Sequence, residues 1–123
     1  MNIEIPGVDE EKVMDLYEDD IDLYAKVSHS FVSVTPAALD KLRNVSAETL
    51  ADYAAAIHGV KGTSANIGAE ETRKTALKLE MMAKAGDLSG VLAENEAFLK
   101  HADTLLNGIH QWIKEYDAKG NKH

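Results

Sequence analysis

Ile57-His58-Gly59-Val60-Lys61-Gly62-Thr63-Ser64-Ala65-Asn66-Ile67-Gly68 lies at the middle of the chain and decides how the rest is read. Its apolar positions continue a pattern that runs from Leu50 through Tyr53, Ala54, Ile57, Val60 and Ser64 to Ile67. Steps of three and four residues over that length predict one amphipathic helix, and no strand or hairpin pattern stands beside it. Two glycines nevertheless sit inside the helix, each costing roughly 1 kcal/mol relative to alanine. Something other than helix stability selects Gly59 and Gly62.

On a helical wheel of about 100° per residue, Leu50, Tyr53, Ile57, Val60, Ser64 and Ile67 share one face, and His58 points roughly 130° from its centre. The imidazole is therefore predicted to face solvent. Its neighbours at one and two turns are Ala51, Ala54, Ala55, Gly62 and Ala65, all of them small. Lys61, three positions on, is the one long side chain placed near the ring by local geometry. A single histidine on a helix surface is ordinarily a solvated residue without a role. What sets His58 apart is the small-residue surround together with Lys61 and Gly62.

Working outward, Gly68 is a natural left-handed stop, and Ser46 with Glu48 in the first turn starts the central helix. Upstream, Asp9 caps a short helix carrying Val13, Leu16 and Tyr17. Asp19 or Asp20 then caps a second, with Ile21, Tyr24, Val27, Phe31, Val34, Ala38 and Leu42 as its apolar positions and its end near Asn44. Pro36 cannot donate to the Val32 carbonyl and should kink this helix or restart it with Thr35 as N-cap. Downstream, Ala69-Glu70-Glu71 opens a helix with Thr72, Ala76, Leu79, Met82 and Ala83 inward. Gly86-Asp87 closes it and caps a last helix over about 88–116. That helix continues across Asn107-Gly108 and buries Val91 or Leu92, Asn95, Phe98, Ala102, Leu105, Ile109, Trp112 and Tyr116. Connections of a few residues force antiparallel neighbours. The predicted fold class is all-α, an antiparallel up-down four-helix bundle with a short extra N-terminal helix. It is read as a single domain over 1–123, with about 1–8 and 118–123 flexible.

A chain of 123 residues, 45% of them hydrophobic, can bury a core without metal or disulfide staples. The absence of cysteine excludes a disulfide framework and a zinc–thiolate site. A formal net charge of −8 disfavours nucleic acid and anionic membrane as partners. Lys61, Arg73, Lys74 and Lys78 could still make the central site locally positive, unless the last three simply form the solvated face of the next helix. His29, His101, His110 and His123 show neither Glu-x-x-His nor His-Glu-x-x-His spacing, so no metal is predicted. With no basic apolar leader and no run of about 18 apolar residues, the expectation is a soluble, cytoplasmic monomer. There is no G-x-x-x-x-G-K-[ST] loop, so any phosphate must come from a partner.

His58, Lys61, Gly62, Ser64 and Gly68 reproduce the H-x-x-K-G-x-S-x-x-x-G pattern, and with it the chain resembles histidine-containing phosphotransfer (HPt) domains. The resemblance extends through Ile67-Gly68-Ala69, Leu79-Glu80, Gly86-Asp87 and the opening Ile5-Pro6-Gly7-Val8-Asp9, covering essentially the whole chain. It implies one long second helix that can bend at Pro36. It implies a phosphorelay intermediate that accepts a phosphoryl group on His58, at Nε2, and passes it to or from an aspartate. The implied partners are receiver domains of response regulators or hybrid histidine kinases. Lys61 would balance charge on the phosphoryl oxygens. Gly62, with Ala51, Ala54, Ala55 and Ala65, would give the partner access and a surface to dock on. Ser64, nearer the core, would either support the site from behind or bond back to its own helix. Such a chain is a stoichiometric carrier, not an enzyme, with no cofactor of its own and Mg²⁺ in the receiver. Two other readings stand beside it: an unphosphorylated helical adaptor that binds receivers, and a metal-binding bundle that uses several histidines.

Overall fold

In a computed structural model, residues 3–119 are described, and they form five helices and no strand. These are α1 (Glu10–Tyr17), α2 (Ile21–Asp40), α3 (Leu50–Ile67), α4 (Glu70–Lys84) and α5 (Leu88–Ala118). Asp9, Asp20 and Asp87 cap α1, α2 and α5 through side-chain oxygens that accept from Glu11 and Lys12, Leu23, and Gly90 amides respectively. Each satisfies donors that a helix start leaves unpaired. α2 packs on α3 and α5, α4 packs on the same two helices, and α1 lies against α2.

Several elements differ from the sequence reading. α2 passes unbroken through Pro36, so Thr35 is no N-cap but a buried residue within the helix, its hydroxyl without a partner among the described residues. A proline costs an interior helix about 3 kcal/mol, and burial of Phe31 and Leu39 on either side of it holds the helix together. The central helix begins at Leu50, not Ser46, because the Ser46 amide bonds the Thr49 hydroxyl and closes a turn first. Leu16 and Val34 are exposed, and of Val91 and Leu92 the first is buried and the second exposed. Residues 3–8, read as flexible, are anchored: Ile3 and Ile5 join Val13, Tyr24, Leu105 and Ile109 in a buried cluster. The last helix extends to Ala118, and the remainder of the 118–123 expectation, apart from Lys119, lies outside the described residues.

The helix that carries the central motif is fastened at both ends. Near its start, the buried Tyr53 hydroxyl donates to Asn95 Oδ1 at 2.8 Å, and Asn95 Nδ2 donates to the Leu42 carbonyl at 2.8 Å. At its end, the Tyr17 and Tyr24 hydroxyls donate to the Asn66 and Ile67 carbonyls at 2.7 and 2.8 Å. These are carbonyls that a helix terminus would otherwise leave unpaired. Gly68 then turns the chain at φ +82°, where a Cβ would lie 2.6 Å from Val13 Cγ2. Both the left-handed backbone and the close approach of α1 require glycine there. Ile57, Val60 and Tyr53 pack with Leu39, Leu79, Val91 and Phe98 in a second buried cluster. With its inner face held this way, the outer face of α3 is set in a fixed orientation toward solvent.

Candidate functional site

His58 stands on that outer face with its side chain 64% exposed. Its Nδ1 lies 2.7 Å from Oε2 of Glu80, which reaches across from α4 and is itself only 2% exposed. An ionised carboxylate can only accept hydrogen bonds, so Nδ1 carries the proton. In the neutral ring the lone pair is then on Nε2, the nitrogen turned away from Glu80.

Glu80 is shared. Lys61 Nζ donates to its Oε1 at 2.7 Å, and Lys84 Nζ, one turn on along α4, lies 3.0 Å from Oε2. A carboxylate this deeply covered would resist ionisation, but its donors decide otherwise. The Lys61 hydrogen bond outweighs the effect of burial, Lys84 and His58 add to it, and the carboxyl is held at about 2 against an ordinary 4.5. Because the folded value is the lower, the stability contributed by this ionised group is present above about 4.5 and is lost as pH falls through about 2. In a carbon NMR titration the Glu80 carboxyl should change with a midpoint near 2. A midpoint near the ordinary value would show a carboxylate free of its lysines.

The structure brings together some of the residues singled out from sequence and separates others. Lys61 is half-buried and turned onto Glu80, not extended over the imidazole. Ala51 and Ala55 are exposed, and Ala54 and Ala65 partly so, around His58. At Gly59 and Gly62 an added Cβ would meet nothing within 4 Å, so close helix packing does not explain either glycine. Ser64 is fully buried and its hydroxyl bonds neither the site nor its own helix. Arg73, Lys74 and Lys78 lie beside Glu70, Glu71 and Glu94 at 2.9, 3.9 and 2.9 Å and are the solvated face of α4. His101 bonds Thr72, and His29 lies 3.3 Å from Asp117. Among the described residues no three of His, Asp and Glu converge as a metal-binding group.

Sequence reasoning about the site missed Glu80 and Lys84. The signal was there: Glu80 lies four residues after Ala76 and three before Ala83, both inward-facing, so it is a carboxylate on the buried stripe of α4. Lys84 follows it at the i,i+4 spacing of one helix, but its partners on α3, His58 and Lys61, could not be read from α4 alone.

A family model for the Hpt domain matches residues 26–112, a span that contains His58, Lys61, Glu80 and Lys84. The chain belongs to the Hpt domain family. No curated protein and no solved structure matches it. Hpt domains are phosphoryl carriers of two-component signalling that interact with receiver domains. In this Hpt domain no described helix is long and apolar enough to cross a membrane.

Proposed function

We propose that this Hpt domain accepts a phosphoryl group on His58 Nε2 and passes it to or from an aspartate of a receiver domain in a cytoplasmic phosphorelay. The observation that carries the reading is the buried Glu80 carboxylate on Nδ1, which leaves Nε2 as an exposed nucleophile. In the accepting direction, the Nε2 lone pair forms the N–P bond as the bond from phosphorus to the receiver's aspartyl oxygen breaks, and the carboxylate leaves with the electron pair. The Nδ1 proton stays in place. Positive charge that builds on the ring during attack is stabilised by Glu80 2.7 Å away. The receiver supplies its own Mg²⁺ in this scheme. The short connections and the cycle of contacts among α2, α3, α4 and α5 support an up-down four-helix bundle as the scaffold.

The deciding experiment incubates the protein with a panel of phosphorylated receivers and follows the label. Transfer to a base-stable, acid-labile position that maps to His58 is the expected result. Binding of a receiver without any transfer would identify an adaptor and end the proposal.

Lys61 is the cation that α3 places one turn from His58, and in this reading it turns from Glu80 to the phosphoryl oxygens. Lys61→Ala should slow transfer by roughly 10- to 1,000-fold, the loss expected for one charge-stabilising donor in a partly exposed site. The fold should persist because Lys84 still pairs with Glu80. Rapid-quench rates equal to wild type would make Lys61 a structural partner of Glu80 and nothing more.

A further inference from the structure

The helix that carries His58 is not equally strong along its length. Before the histidine it reads Leu50-Ala51-Asp52-Tyr53-Ala54-Ala55-Ala56-Ile57, half of it alanine, the best helix former. After it come Gly59-Val60-Lys61-Gly62-Thr63-Ser64-Ala65-Asn66-Ile67, in which only Lys61 and Ala65 are strong helix formers. Left to its own propensity, such a helix unwinds from its C-terminal end back toward Gly62 and Gly59.

Buried Val60 and Ile67 oppose that on the inner face, and hydrogen bonds oppose it at the end. Ser64 and Ala65 carbonyls accept from the Ala69 and Gly68 amides at 2.9 and 3.2 Å within the turn. The next three carbonyls, of Asn66, Ile67 and Gly68, accept from the Tyr17 hydroxyl, the Tyr24 hydroxyl and the Asp9 amide at 2.7, 2.8 and 2.8 Å. These three donors all precede residue 26, where the family match begins. The stretch that supplies them is anchored in turn on α5, where Gly108 leaves room for it: a Cβ there would lie 3.2 Å from Ile5 Cγ2. Unwinding of 59–67 would reach the site, because Lys61, which holds Glu80 at 2.7 Å, and Gly62 lie within it.

We propose that residues 3–24 form a latch on the histidine helix, in which Tyr17 and Tyr24 are positioning residues that keep its weak half wound and so hold Lys61 and Gly62 in register with His58. The consequence for transfer rests on the phosphotransfer reading, and the latch itself does not.

Amide hydrogen exchange tests the latch without any phosphate. In helical register the amides of residues 63–67 bond the carbonyls of 59–63 and report the weak half, while those of 54–57 report the alanine-rich half. The first set should exchange through a local opening that low urea leaves unchanged, the second only with global unfolding, which urea promotes. Tyr24→Phe keeps the ring but leaves the buried Ile67 carbonyl without its donor, and should speed the local exchange about 10-fold. Tyr17→Phe, whose acceptor on the exposed Asn66 is within reach of water, should speed it about 2- to 3-fold. Thr63→Ala, which strengthens the weak half from within by removing a hydroxyl bonded back to the Val60 carbonyl, should reverse the Tyr17→Phe effect. Exchange of the two halves together, with one urea dependence, in wild type and in Tyr17→Phe would overturn the proposal, as would unchanged exchange in both tyrosine variants. In transfer from a phosphorylated receiver, the double variant Tyr17→Phe with Tyr24→Phe should be slowed roughly 2- to 10-fold, in proportion to the fraction of molecules with 59–67 unwound, and Thr63→Ala should recover part of the loss. Wild-type transfer by a double variant whose 63–67 amides do open would overturn the positioning role. If wild type itself takes no label while the exchange pattern holds, the phosphotransfer reading fails and the positioning role fails with it, leaving only the latch.

Discussion

His58→Gln takes up no phosphoryl label and keeps the fold. The glutamine amide has no nucleophilic nitrogen lone pair to form an N–P bond, so the reaction loses its acceptor instead of being slowed. Stability should hardly move. The side chain is 64% exposed, glutamine is a good helix former, and its amide can still donate to the Glu80 carboxylate, so that the buried charge keeps a hydrogen-bonded partner there. A surface exchange of this kind lies within about 0.5 kcal/mol. Circular dichroism melts and labelling by a phosphorylated receiver on the same sample check both halves. Undiminished label on the variant would move the acceptor elsewhere in the chain, with His29, His101 and His110 the other exposed imidazoles among the described residues to examine.

Gly62 separates access from stability with two substitutions. Its backbone is helical, and a Cβ there meets nothing within 4 Å. Gly62→Ala should therefore stabilise the protein by about 0.4 to 1 kcal/mol, as relief of unfolded-chain entropy does at compatible sites. Transfer should move the other way, because a receiver has to bring its aspartate into line with Nε2 over this part of the helix. Alanine should slow it modestly. Gly62→Gln should keep the fold and lose most transfer and receiver affinity, its side chain standing one turn from His58 where the partner's surface has to come. Melting curves and transfer rates on both variants decide it. Normal transfer by Gly62→Gln would show that the open face is not where the receiver docks, and a lowered melting temperature for both variants would contradict the open space at this position.

The local elements were legible because their causes are local. Asp9, Asp20 and Asp87 act on amides two or three residues away, and Gly68 turns the chain by its own backbone. The position of His58 on the outer face of α3 follows from 3.6-residue periodicity and nothing else. Errors came where packing competes with local preference. Pro36 and Thr35 read as a break, yet Phe31 and Leu39 are buried on either side and the helix runs through. Ile3 and Ile5 sit in a segment with no helical pattern, and only the buried cluster with Leu105 and Ile109 holds them.

The sequence by itself determined the helices, the solvent-facing imidazole and the small residues around it, since each depends on spacing along one helix. What lay beyond it was the state of that imidazole. Glu80 is 22 residues from His58 in the chain, and only the packing of α4 on α3 brings its carboxylate to Nδ1. Lys61, which helix geometry alone placed beside the ring, is drawn onto the same carboxylate across the α3–α4 contact, while Lys84 meets it from one turn along α4. Charge interactions between elements depend on distances that no single helix contains, so the proton on Nδ1 and the sharing of Glu80 were decided by the tertiary structure.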